Sequence, residues 1–149
     1  MPVWRAVPGT GPPGTRRSPD RQPDPAEGTA ATVAAMAGVV ERYLRAVVAQ
    51  AWEDLAACLT EDVVRVGPFG DTYTPRRAYL EFLSALMPTL AGYDMKVHRV
   101  IYAESVAVAQ LSETVEIDGA AVVTPEALVF DLDESGRIAR VEIYIQRSD

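Results

Sequence analysis

The 149-residue sequence holds one cysteine, Cys58, and one histidine, His98. A lone cysteine cannot close an intramolecular disulfide. Its expected place, buried on a helix, suits a reducing compartment and points to the cytoplasm. A lone histidine excludes multi-histidine zinc and iron centres, so no metal is expected. No apolar run approaches the roughly 20 residues of a membrane-spanning helix. Nor does the start of the chain offer the continuous apolar stretch of about 7–15 residues that a secretory signal needs. Positive charge is also scarce, with 14 Lys and Arg against 21 Asp and Glu and a net charge of −7. A surface of that sign suits neither nucleic acid nor an anionic membrane.

What is present divides into two parts. Residues 1–28 carry seven of the eleven prolines and four of the ten glycines, with no apolar periodicity. Such a segment buries too little apolar surface to offset its ordering entropy, and it is expected to be a disordered tail. Arg5, Arg16, Arg17 and Arg21 against Asp20, Asp24 and Glu27 give the tail a net +1, which leaves −8 on residues 29–149. One α+β domain is expected there.

In "TVAAMAGVVERYLRAVVAQAWEDLAACL", Met36, Val40, Tyr43, Leu44 and Val47 recur at three- and four-residue steps, one helical stripe. Trp52, Leu55, Ala56 and Leu59 form a second stripe, so two helices broken near 49–51 are expected. "DVVRV" reads as a short strand stopped by Gly67-Pro68, and "GPFGDTYTP" as a loop. Pro75 suits the first turn of a third helix whose stripe is Tyr79, Phe82, Leu83 and Leu86. From Tyr93 the period changes to two, and four strands follow: "YDMKVHRVIYA", "SVAVAQLSETVEI", "VVTPEALVFDL" and "RIARVEIYIQ". The expected architecture is a curved antiparallel sheet, a meander in its second half, with helices on one face.

Two residues break the strand pattern. In "QLSETVEIDG" the odd positions are apolar (Leu111, Val115, Ile117) except for Glu113. In "TPEALVFDL" the even positions from 126 onward are apolar (Leu128, Phe130, Leu132) except for Glu126. Both acids therefore point inward. Asp118-Gly119 is a hairpin signal. A two-residue loop pairs 111 with 126 and makes the two glutamates diagonal neighbours, roughly 7–8 Å apart at the backbone. A four-residue loop puts them directly opposite. Like charges about 4 Å apart repel by roughly 4 kcal/mol at an effective dielectric near 20. One of the pair should keep its proton, as a general acid/base pair requires.

The stretch from about residue 34 to 146 resembles the cone-shaped superfamily of nuclear transport factor 2, ketosteroid isomerase and the SnoaL-like polyketide cyclases. "VERYLRAVVAQAWEDLAACLTEDVVRVGPFG" is similar to its opening helices, first strand and loop, and "FDLDESGRIARVEIYI" to its closing hairpin. The resemblance implies a mostly apolar pocket between the concave sheet and the helices. It also implies a homodimer through the convex face, with Tyr144 at the interface. The isomerase's oxyanion-hole tyrosine falls on Tyr43. Its base falls on Gly67, its protonated Asp on Leu128 and its further helix tyrosine near Leu83, so one of four positions is kept. On strand "MKVHRVI", His98 shares a face with Lys96, Val100 and Tyr102, whereas Arg99 shares the other with Met95, Val97 and Ile101. With the first face inward, His98 is a proton shuttle. With the second inward, Arg99 joins the carboxylates in a set resembling the fold's epoxide hydrolases.

The expected function is acid/base chemistry without a cofactor on a largely apolar small molecule: isomerisation, cyclisation or epoxide opening. Glu113 and Glu126 would transfer protons, and Tyr43 or His98 would orient a substrate oxygen. The pocket would be lined from the helices and loop by Trp52, Phe69 and Tyr73. The sheet would contribute Leu111, Val115, Leu128, Phe130, Val141 and Ile143. The alternative is a non-catalytic ligand-binding or scaffold protein of the same fold.

Overall fold

A computed structural model describes residues 26–147, with side chains from residue 38 onward. Residues 1–25 of the expected tail lie outside the described residues, and α1 is described from Ala26. Helix α1 spans Ala26–Ala49 and α2 spans Trp52–Cys58. The break between them is a Schellman turn. Gln50 adopts a positive φ of 54°. Its N–H donates to Val47 O (3.1 Å), and the Ala51 N–H reaches back to Ala46 O (2.9 Å).

Strand β1, Leu59–Val66, is longer than "DVVRV" suggested. The following loop is not wholly irregular. The Gly67 N–H donates to Asp71 O and the Gly70 N–H to Gly67 O. This tight turn folds β2, Thr72–Tyr73, back along β1 with Arg65 opposite Tyr73. Helix α3 covers Arg76–Leu86 and continues into one 3-10 turn, Met87–Thr89. Strands β3 (Asp94–Ala103), β4 (Val106–Ile117), β5 (Ala120–Leu132) and β6 (Ile138–Ile145) form the expected meander.

The sheet is open, in the order β2-β1-β6-β5-β4-β3. It is mixed, not purely antiparallel, because β6 lies parallel to β1, with Arg65 beside Val141. The helix and meander between β1 and β6 return the chain to β1's free edge running in the same direction. The β4–β5 hairpin takes the two-residue loop. Ile117 pairs with Ala120 and Leu111 with Glu126, and Asp118 and Gly119 both have positive φ.

The helices cover one face of this sheet. Val40, Tyr43, Leu44 and Val47 of α1, Leu55 of α2, and Tyr79 and Leu83 of α3 are buried against Val63, Leu111, Phe130 and Val141. Each large apolar side chain so removed from water stabilises the fold by about 1.5–3 kcal/mol. The Tyr43 and Phe130 rings meet edge to face, centroids 5.3 Å apart, and tie α1 to the centre of β5.

Candidate active site

Strand phase decides which side chains reach the concave face. On β4 the buried residues Ala107, Ala109 and Leu111 set the inner parity, and Glu113 continues it. On β5, Leu128, Phe130 and Leu132 set it, and Glu126 precedes them. In the observed register Glu113 lies opposite Thr124 and Glu126 opposite Leu111, so the two acids are diagonal neighbours on one face. Both are half-buried.

Burial raises the Glu126 carboxyl to about 8, helped by the negative charge of Glu113. Burial also raises Glu113, but the Tyr93 hydroxyl donates to its Oε1 at 3.1 Å, which favours the charged form. Among the described residues no such donor reaches Glu126. The two titrate as a coupled pair. The Tyr93 hydrogen bond favours the negative charge on Glu113 and the shared proton on Glu126.

A third group completes the site and was not singled out in the sequence. Arg65 of β1 is buried at 8% exposure, and its positive charge opposes the rise of both glutamates. Its Nη1 donates to Asp71 Oδ2 at 2.6 Å. Its guanidinium lies 5.6 Å from the centroid of Tyr73 and 5.0 Å from that of Phe82, two rings stacked 3.9 Å apart. A signal was available: Arg65 alternates in phase with the apolar Val63.

Tyr43 is held by a hydroxyl–hydroxyl bond to Tyr79, and both phenols are buried. Burial, above all, pushes Tyr43 well above the ordinary phenol range and raises Tyr79 as well. Leu83, where the resemblance implied a further helix tyrosine, is a core residue, and Tyr79 lies one helical turn before it.

His98 and Arg99 do not join the site. Strand β3 carries an irregularity between Val97 and Arg99. Before it, Met95 and Val97 pair with Glu113 and Leu111. After it, Val100 and Tyr102 pair with Ala109 and Ala107. The inner face thus switches from odd to even numbers within one strand, which is why neither parity reads as apolar. His98 is exposed and its Nε2 lies 2.9 Å from Ser112 Oγ, on the outer face. Arg99 is also exposed, and its Nε donates to Gln110. The expected roles of His98 as shuttle and of Arg99 between the carboxylates are corrected accordingly.

The expected pocket lining divides as well. Leu111, Leu128, Phe130 and Val141 are closed into the core. Val115 and Ile143 are half-buried, and Tyr73 is stacked on Phe82. Phe69 is exposed, with the Arg147 guanidinium 5.6 Å from its ring, past the end of β6 where Ile145 pairs with Glu126. Trp52 instead lines a cleft of about 640 Å³ with Ala56, Arg76 and Leu80, to which neither glutamate contributes. Ile117 and Val122, beyond the glutamates, and Val97, opposite Leu111 on the edge strand, share the inner parity yet are exposed, so exposed apolar side chains flank the carboxylates.

Residues 40–141 match the family model described as the SnoaL-like domain. The chain belongs to the SnoaL-like family. No curated protein sequence matches it significantly. Among solved structures it is similar to a candidate SnoaL-like polyketide cyclase from Shewanella denitrificans, with TM-score 0.67, 12% identity, and 74% of this chain and 90% of the other covered. It is similar to an LEH-like epoxide hydrolase from M. tuberculosis, with TM-score 0.68, 21% identity and coverage of 77% and 85%. It is also similar to a candidate ketosteroid isomerase from Kribbella flavida, with TM-score 0.66, 20% identity and coverage of 76% and 79%. At these identities the likeness concerns the fold, on which the family sets very different sites.

Proposed function

We propose that this family member is a cofactor-independent acid/base enzyme acting on a largely apolar small molecule, which binds between the sheet and the helices. The observation that carries the reading is the pairing of Glu113 and Glu126 on the concave face beside the buried Arg65. Glu113, charged and held by Tyr93, is the base. Glu126, protonated up to about 8, is the acid. In an isomerisation, Glu113 takes a proton from a carbon next to a carbonyl while Glu126 donates to the carbonyl oxygen; Glu113 then delivers the proton to a different carbon of the enol and Glu126 takes back the hydroxyl proton, restoring the carbonyl. In an epoxide opening, Glu113 takes a proton from water, the water oxygen bonds to the ring carbon, and Glu126 protonates the leaving oxygen. Either use keeps one proton in the pair. The exposed side chains of Val97, Ile117 and Val122 suit the apolar body of such a molecule.

The test incubates the full chain with apolar epoxides, read as diol formation by mass spectrometry, and with apolar enolisable ketones in deuterated water, read as label uptake by NMR. Glu113→Gln should lower the rate by about 10²–10⁴-fold. A Glu113→Gln, Glu126→Gln double variant as active as the parent would refute the assignment. The second reading, a non-catalytic binder, draws on Gly67 and Leu128 at the isomerase base and acid positions. Saturable binding of apolar ligands without turnover would favour it.

The same proposal includes a homodimer through the convex face and a cytoplasmic location. Tyr144, Val123 and Ile101 are exposed on that face. Arg140 and Tyr144 both bond Glu142, at 2.7 and 2.5 Å. Cys58 is free and buried, and among the described residues no helix is long and apolar enough to cross a membrane. Sedimentation of the parent against Tyr144→Glu tests the dimer.

A further inference from the structure

The turn after β1 holds its ion pair in space that most residues at position 67 would need. A Cβ built on Gly67 would lie 2.2 Å from Asp71 Oδ1 and 2.5 Å from Arg65 Nη1. Asp71 reaches that space because its own carbonyl accepts the Gly67 N–H at 2.7 Å, closing the turn on itself. The Arg65 side chain is 9% exposed and that of Asp71 37%. A guanidinium and a carboxylate can share two parallel bonds. This pair makes one, and Arg65 Nε and Asp71 Oδ1 are buried with no partner among the described residues.

Arg65 therefore has donor capacity left and three carboxylates in its vicinity. Its charge acts on both Glu113 and Glu126. Among the described residues, however, its ion pair is with Asp71 and with neither glutamate. The stacked rings of Tyr73 and Phe82 flank the guanidinium and the Tyr79 hydroxyl adjoins it, and the bond to Asp71 is the one ion pair that holds the head group among the described residues.

We propose that Asp71 is a positioning residue for the acid/base pair: it anchors Arg65 beside Gly67, off Glu113 and Glu126, and leaves the two glutamates to share their proton. This rests on reading Glu113 and Glu126 as that pair. Without the Asp71 charge, the buried guanidinium gains most by turning to a glutamate. A direct Arg65–glutamate pair would ionise both acids at neutral pH and remove the general acid. The charged and titratable groups around the glutamates come from each neighbouring element. They are Tyr43 from α1, Arg65 from β1, Tyr79 from α3 and Tyr93 ahead of β3. Strand β6 presents Val141, Ile143 and Ile145 to this face.

The test is a carboxyl-carbon NMR titration of the full chain, with thermal unfolding run alongside. Asp71→Asn should lower the Glu126 midpoint, about 8 in the parent, by about one pH unit or more. Asp71→Glu should restore most of it, and adding Arg65→Gln to Asp71→Asn should abolish the drop. Gly67→Ala, which changes no charge but forces the pair out of the turn, should lower the midpoint in the same direction. It replaces Asp71→Asn if that variant does not fold. A lowered Tm with an unmoved midpoint would assign Asp71 to the turn alone and overturn the proposal. The titration needs no substrate, so its failure is distinct from a failure to find turnover.

Discussion

Glu126→Gln should abolish most of the loss of stability that the parent suffers toward alkaline pH. In the folded protein this carboxyl keeps its proton to about 8, where an ordinary glutamate loses it near 4.5. Between those values the folded state holds a proton that the unfolded chain has released. The unfolding free energy then falls as pH rises, by about 1.4 kcal/mol per pH unit for a whole proton. Below 4.5 both states are protonated and above about 8 both are ionised, so the slope vanishes outside that window. Taken whole, the window would correspond to about 5 kcal/mol. The carboxyl is only half-buried, and solvent screening reduces this to about 2 kcal/mol. Glutamine does not ionise, so the variant should lose Glu126's share of the slope, keep only what Glu113 contributes, and exceed the parent by about 2 kcal/mol above the window, or about 6–8 °C in Tm. Guanidinium unfolding in steps from roughly pH 5 to 9.5 measures both slopes. Parallel pH profiles for parent and variant would show that Glu126 is not a buried acid, and the reasoning from strand phase to proton chemistry would fail.

Two further outcomes are expected. Tyr43→Phe or Tyr79→Phe alone strands a buried hydroxyl and should cost about 1–3 kcal/mol, whereas the double variant should cost less than the sum. A strictly additive cycle by denaturant unfolding would mean that the hydroxyl pair contributes nothing. His98→Ala, on the outer face, should change stability by no more than about 0.5 kcal/mol and leave the Glu126 titration where it was. A moved midpoint by NMR would put the imidazole back in the site.

The sequence by itself determined the elements governed by local rules. Helical stripes placed Tyr43, Leu55 and Leu83 in the core. Strict alternation on β4 and β5, with a turn signal at Asp118-Gly119, turned Glu113 and Glu126 toward the helices, and the structure chose the two-residue loop. Side-chain direction in a strand and backbone sign in a turn are set within a few residues, so they can be read along the chain. The rest depended on neighbours distant in sequence. The irregularity that reverses the parity of β3 is a matter of hydrogen-bond register with β4, and it alone sends His98 and Arg99 outward. The parallel seam of β1 with β6 arises because the meander returns the chain to the one edge left open. Arg65 became the cation of the site, and Tyr79 the partner of Tyr43, only when β1, α3 and α1 met. Burial depth follows the same logic, because how far water is kept from a carboxyl depends on every layer packed above it, and no single segment carries that information.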